Sequence, residues 1–269
     1  MEKGFKSDFG SLRSAYSTVV FAISNDLTFW NTFLPAAIQA HREKYPDQIR
    51  FFESGLCAYD ISLESNNGWL HTLDHIEAID NENLDHSRQR FFQWIQVLSI
   101  VRIYNALELL LYGIIETCYL GSLGEKMPLK KLKTLVLTEL KNAKIPHDTK
   151  NNHFLITYLR QRNSNLGRFF SLPVSNLTTS REEFFEFLSV VRHILVHDEM
   201  LVSRNNQNLL KSRFKEFSDL YLQFEPVDRK ALKMLFNEKK SGMINLFSQC
   251  NDIAYNTLKF AFDLESISA

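Results

Sequence analysis

Residues 91–120 read FFQWIQVLSIVRIYNALELLLYGIIETCYL. Large apolar residues recur there at every third or fourth position, which is typical of a helix that faces a protein core. The stretch is long enough to cross a bilayer, but four of its residues would be costly to bury in lipid, namely Arg102, Asn105, Glu108 and Glu116. We therefore interpret it as the buried core helix of a protein that does not enter a membrane.

The same helical spacing continues through nearly all of the chain. Apolar residues make up 45% of the 269 residues, whereas 9 Gly and 6 Pro are too few for the many tight turns of an all-β fold. We predict an all-α fold with helices near residues 11–30, 32–44, 47–64, 68–79, 87–120, 129–143, 152–163, 181–197, 207–224 and 228–263.

Polar residues 80–90 predict a boundary, which gives an N-terminal helical region (1–85), a central core bundle (86–225) and a C-terminal helical segment packed on the core (226–269). The three cysteines are far apart and odd in number, so we expect core residues and no disulfide framework at Cys57, Cys118 and Cys250. Because acidic residues precede the apolar run 15–23, that run does not resemble a signal peptide, and a cytoplasmic location is predicted.

The formal net charge of zero is a sum of unlike parts. Residues 126–168 contain 10 basic and 2 acidic side chains, whereas the rest of the chain is acidic on balance. Such a segment can be a docking surface for a polyanion, or it can be the solvated face of a lysine-rich helix. The sequence leaves both interpretations open.

The segment FLSVVRHILVHD, residues 187–198, combines an apolar stripe with Arg192, His193 and His197. Ser180 and Glu183 have the spacing of a capping box, which predicts that the helix begins there. Three interpretations compete. The two histidines could bind a metal ion, but no further ligands are suitably spaced, so neither a metal nor another cofactor is expected. The three side chains could be structural, as an ion pair and helix caps, or they could be catalytic.

The Arg-x4-His pattern of Arg192 to His197, with the polar His193 after the arginine, resembles the signature of the HEPN superfamily. Residues 100–111, with Glu108 among large apolar residues, are similar to the first core helix of that superfamily. The resemblance covers about residues 87–224. It implies a HEPN-like helical bundle core with additional N-terminal and C-terminal helices. It also implies a metal-independent endoribonuclease that leaves 2′,3′-cyclic phosphate ends, in a toxin or antiphage-defence role.

The residue types suit that chemistry. His197 can exchange a proton near neutral pH, and Arg192 can stabilise charge on phosphate oxygens, so both are predicted to be catalytic. His193 and Glu108 are predicted to support them, and Arg192 is a candidate partner for Glu108 if the polar side of that helix does not simply face water. The basic segment then predicts RNA-binding residues at Lys130, Lys131, Lys133, Arg160 and Arg162.

Residues five apart on a helix differ by about 140° in direction and about 7.5 Å in height, so Arg192 and His197 do not converge easily within one chain. A homodimer with a composite site is therefore predicted. The resemblance also implies an antitoxin or regulatory partner, but Glu199 stands where toxins of the superfamily that pair with a nucleotidyltransferase carry Tyr. The alternative function is a non-catalytic HEPN-like module that binds nucleotide, RNA or a protein.

Overall fold

The computed structural model describes residues 2–44, 50–59, 70–79, 83–120, 127–147, 152–174, 177–197, 200–227 and 232–263. This part of the chain is mostly helical. It forms two compact units, one made of Met1–Ser24 with Gln96–Ala269 and the other made of Asn25–Ile95. The division into residues 1–85, 86–225 and 226–269 stays a prediction.

The described helices are α1 (Glu2–Lys44), α2 (Asn83–Ile114), α3 (Leu129–Asn142), α4 (Phe154–Arg162), α5 (Ser164–Ser171), α6 (Arg181–His197), α7 (Arg204–Ser212), α8 (Lys215–Tyr221) and α9 (Gly242–Ala261). A π-helical turn, Ile115–Leu120, extends α2. The predicted helices near 87–120, 129–143, 152–163 and 181–197 are confirmed. The two helices predicted at 11–30 and 32–44 are one helix, with Pro35 inside it.

The helices predicted at 47–64 and 68–79 are wrong. Strands β1 (Arg50–Tyr59) and β2 (Leu70–Ile79) pair antiparallel there, with Arg50 opposite Ile79 and Tyr59 opposite Leu70. Short apolar runs do not distinguish a helix from a strand by periodicity alone. The overlooked signal is the group Asn66, Asn67 and Gly68 between the two runs, since such residues interrupt a helix, although these three residues lie outside the described part.

A second small sheet lies within the larger unit. Its order is β3 (Leu201–Val202), β5 (Leu232–Phe236) and β4 (Leu222–Pro226), and all pairs are antiparallel. It replaces the end of the helix predicted at 207–224 and the start of the one predicted at 228–263. Helix α9 begins at Gly242, where a Cβ atom would lie 2.4 Å from the Tyr221 carbonyl oxygen.

The core of the larger unit is built around α2 and α6. Side chains on both helices are fully buried, and the rings of Tyr104 on α2 and Phe185 on α6 stack at 5.8 Å between centroids. The stretch Phe91–Leu120 is long and apolar enough to cross a membrane, but 61% of its most apolar window is buried within the protein. Cys118 and Cys250 are free thiols, and Cys250 is buried; Cys57 lies where no side chains are described.

Candidate functional site

The first turn of α6 is fixed by the predicted capping box. The Ser180 hydroxyl accepts from the Glu183 backbone N–H at 3.3 Å, and the Glu183 carboxylate accepts from the Ser180 backbone N–H at 2.9 Å. Each residue therefore satisfies a backbone donor that the helix itself leaves unpaired. The box is confirmed, and it determines where every later side chain of α6 lies.

The apolar stripe of α6 anchors the helix in the core. Leu188, Val191 and Ile194 are completely buried, and the Phe187 ring lies 5.3 Å from the Phe217 ring and 5.9 Å from the Phe214 ring. Arg192, His193 and His197 lie near the C-terminal end of this helix, and Arg192 follows the buried Leu188 by four residues, about one turn. The predicted core role of the stripe is confirmed.

Arg192 is half-buried near the C-terminal end of α6. Its Nε atom is buried and has no hydrogen-bond partner in the described part of the chain. A buried donor without an acceptor is unusual, because its lost hydration is not replaced. His193 is exposed, and His197 is the last residue of α6, with a side chain that lies outside the described part.

Glu108 lies on α2 beside Arg192. No ion pair within 4.0 Å joins these two described residues, so the predicted direct pairing is not formed. Instead, the Asn152 side-chain amide donates to Glu108 Oε1 at 2.8 Å. Burial raises the pKa of the Glu108 carboxyl, and the charges of Arg192 and Lys133 oppose that rise. The carboxyl therefore shares an electrostatic environment with Arg192 without neutralising it directly.

The polar side of α2 is buried in part. Asn105 is exposed, Glu108 and Arg102 are half-buried, and the Tyr112 side chain is only 4% exposed. Neither sequence interpretation, a stripe in water or a buried polar stripe, describes all four residues.

The basic segment divides into two groups. Arg160 pairs with Glu182 on α6, and Arg162 pairs with Glu139 on α3, so both arginines are engaged within the protein. Lys133 lies 5.4 Å from the centre of the Phe154 ring. By contrast, Lys130 and Lys131 are exposed on α3. Of the predicted RNA-binding residues, these two lysines are the ones that the structure leaves open to a partner.

Two residues near the site were not singled out from the sequence. Asn152 binds Glu108, and His153 binds the Glu182 carboxylate at 2.9 Å. Tyr158 and Phe169, two aromatic residues of the basic segment and its flank, are core residues that are 1% and 5% exposed. Only the folded chain reveals Asn152, because its partner is 44 residues away.

Within the described ranges, no group of three or more His, Cys, Asp or Glu side chains is arranged to hold a metal ion. The side chain of His197, which was considered above as a metal ligand together with His193, falls outside those ranges. Comparisons of the chain with models of protein families, with curated proteins and with solved structures found no match.

Proposed function

We propose that the protein is a metal-independent endoribonuclease of the HEPN type, in which Arg192 and His197 act on RNA in the cytoplasm. The observation that carries the proposal is the buried, unpartnered Nε atom of Arg192 at the end of α6. A phosphate oxygen would supply the missing acceptor, and a guanidinium is suited to the charge that develops on phosphate during cleavage.

The position of His197 supports the same chemistry. It ends the helix that holds Arg192, so its backbone is placed by the same buried stripe. An imidazole there can donate a proton to a leaving oxygen near neutral pH. The reaction joins the 2′-oxygen to phosphorus, breaks the bond from phosphorus to the 5′-oxygen, and leaves a 2′,3′-cyclic phosphate and a 5′-hydroxyl.

The proposed active form is a homodimer with a composite site. Arg192 and His197 are five residues apart on one helix and so diverge by about 140°, which favours an Arg192 from one protomer and a His197 from its partner. The proposed role is that of a toxin or an antiphage effector, controlled by an antitoxin or another regulatory protein.

The test is cleavage of labelled RNA in the presence of EDTA. We expect cyclic-phosphate ends from the wild-type protein and at least about a hundredfold loss in Arg192→Ala and His197→Ala, with an unchanged circular dichroism spectrum. Arg168→Ala, an exposed arginine on α5, is the matched control. RNA that is bound but never cut would favour the alternative, a non-catalytic RNA-binding module.

Mixing the two inactive variants tests the composite site. If Arg192 and His197 come from different protomers, subunit exchange creates one intact site in half of the dimers, and about a quarter of the activity returns. A mixture that stays inactive, or a monomer by light scattering at micromolar concentration, would contradict the composite site.

A further inference from the structure

Glu108 is a half-buried carboxyl for which the proposed chemistry has no role so far. Its Oε1 atom accepts from Asn152, and no described residue donates a hydrogen bond to its Oε2 atom. Among the described residues, Oε2 is therefore the unbonded oxygen of a carboxyl on which the charge of Arg192 acts. A carboxyl held by one oxygen, with the other free, has the arrangement of a group that can accept a proton.

The reaction needs two proton transfers. The attacking 2′-hydroxyl must lose a proton, and the leaving 5′-oxygen must gain one. We propose that Glu108 takes the proton from the 2′-hydroxyl while His197 protonates the 5′-oxygen, and that Asn152 is the positioning residue that holds Glu108. This inference rests on the ribonuclease function proposed above.

The surroundings of Glu108 suit a base. Burial raises the pKa of its carboxyl, which makes the carboxylate a stronger proton acceptor than an ordinary surface glutamate. Arg192 and Lys133 act in the opposite direction, so the group can still ionise. The same two cations can neutralise the phosphate while the carboxylate takes the proton.

Asn152 is itself held in place. Its φ angle of 55° lies in the left-handed region, which asparagine adopts more readily than most residues. The next residue, His153, accepts from the backbone N–H groups of Ile156 and Thr157 and binds Glu182 through its ring. Contacts of His153 with α4 and α6 therefore hold Asn152 in place, and Asn152 in turn positions Glu108.

The test compares two dinucleotide-like substrates, one with an ordinary 5′-nucleoside leaving group and one with p-nitrophenol, which leaves without a proton. We expect Glu108→Gln to lose at least about tenfold on both substrates. His197→Ala should lose activity only on the first substrate. Glu108→Gln should also remove the acidic limb of the pH–rate profile, whereas Asn152→Gly, which tolerates a positive φ, should shift that limb.

Recovery of Glu108→Gln on the p-nitrophenyl substrate, or an unchanged pH profile, would overturn the inference while the ribonuclease function stands. Absence of cleavage by the wild-type protein would overturn both. A purely structural role of Glu108 would lower the melting temperature of Glu108→Gln at neutral pH. We expect the opposite, because a carboxyl with a raised pKa loses stability as the pH rises above the ordinary range of Glu, and glutamine does not ionise.

Discussion

The two ends of α6 differ in whether their charged side chains have partners within the protein. In the first half of the helix, three charged side chains meet partners on other parts of the chain: Arg181 with Asp252 at 2.6 Å, Glu182 with His153 at 2.9 Å and Glu186 with Arg213 at 2.5 Å. The fourth, Glu183, belongs to the capping box with Ser180. Near the other end, the buried Nε atom of Arg192 meets none in the described part of the protein. Charged side chains near the N-terminal end of α6 are therefore paired within the protein, whereas the Nε atom of Arg192 near the C-terminal end has no partner among the described residues.

The difference has an energetic meaning. A half-buried charge loses hydration on folding, and an ion pair or hydrogen bond within the protein offsets that loss. The first half of α6 makes those contacts, so its charged residues stabilise the fold. Arg192 bears part of the cost without the compensation, which is expected of a group whose partner is a substrate.

The largest effect on stability is expected in the buried stripe of α6. Phe187 is completely buried among aromatic rings from α6 and from residues 214–221. Phe187→Ala should lower the free energy of unfolding by about 3–5 kcal/mol, because it removes an aromatic side chain and leaves a cavity. Urea denaturation measures this loss.

Arg192→Met is the contrasting variant, because methionine is unbranched, reaches about as far as the arginine Nε atom and has no charge. It should leave the stability unchanged or raise it, since it removes a buried donor that has no acceptor. A loss comparable to that of Phe187→Ala would mean that Arg192 is a structural residue, and the contrast between the two ends of α6 would disappear.

A smaller effect on stability, which depends on pH, is expected at the N-terminal end of α6. The Glu182 carboxylate beside it raises the pKa of His153, and burial partly opposes this. Burial tends to raise the pKa of Glu182, but the hydrogen bond from His153 and the charge of Arg160 lower it overall. Glu186 and Arg213 also act on His153, with opposite signs.

The pair should therefore contribute fully below the ordinary His pKa of 6.5 and above that of Glu at 4.5, and the His153 contribution should fade as the pH rises through its raised pKa. His153→Gln should cost about 1–2 kcal/mol near pH 6 and much less near pH 9. Thermal melts across this range measure the difference. An equal cost at both values would exclude a charged pair.

These contrasts also separate what the sequence could predict from what it could not. The range of α6, its capping box and its buried stripe follow from local spacing, so residues 181–197 were placed correctly. Helix α5 was missed, although Asn163 caps it by accepting from the backbone N–H groups of Asn165 and Leu166. Eight residues are too few for a periodic pattern to stand out.

The candidate site shows the same division. The resemblance to HEPN proteins suggested Arg192 and Glu108, but their surroundings depend on residues distant in sequence, such as Asn152. Net charge suggested Arg160 and Arg162 as RNA-binding residues, yet each pairs with an acid more than 20 residues away. A charge count contains no information on which cations the fold has already paired.

If Arg192 and His197 at the C-terminal end of α6 cut RNA, other residues must also bind the phosphate backbone. Helix α3 has a surface that suits this binding. Lys130, Lys131 and Lys141 are exposed there and form what we term the α3 lysine face. The single acidic residue of α3, Glu139, is engaged by Tyr158 and Arg162. A shallow depression on this helix is lined by Lys130, Lys131, Thr134, Leu135 and Thr138.

The smallest effect on folding, and a clear one on binding, is expected from changing the α3 lysine face to Gln at all three positions. Each lost phosphate contact should flatten the plot of log affinity against log salt by about 0.7 for a single strand, which gives about 2 for three contacts. Fluorescence anisotropy with labelled RNA, at salt concentrations from about 50 to about 300 mM, measures this slope.

A triple change of Lys211, Lys215 and Lys239 to Gln is the matched control, because it removes the same charge from other exposed positions and should leave the slope unchanged. Arg162→Gln should also leave the slope unchanged, since that guanidinium is engaged by Glu139. If the slope of the lysine variant equals that of the wild type, or if the control flattens it equally, the α3 lysine face is only a solvated surface, and the chemistry at Arg192 and His197 must be served by another RNA-binding region.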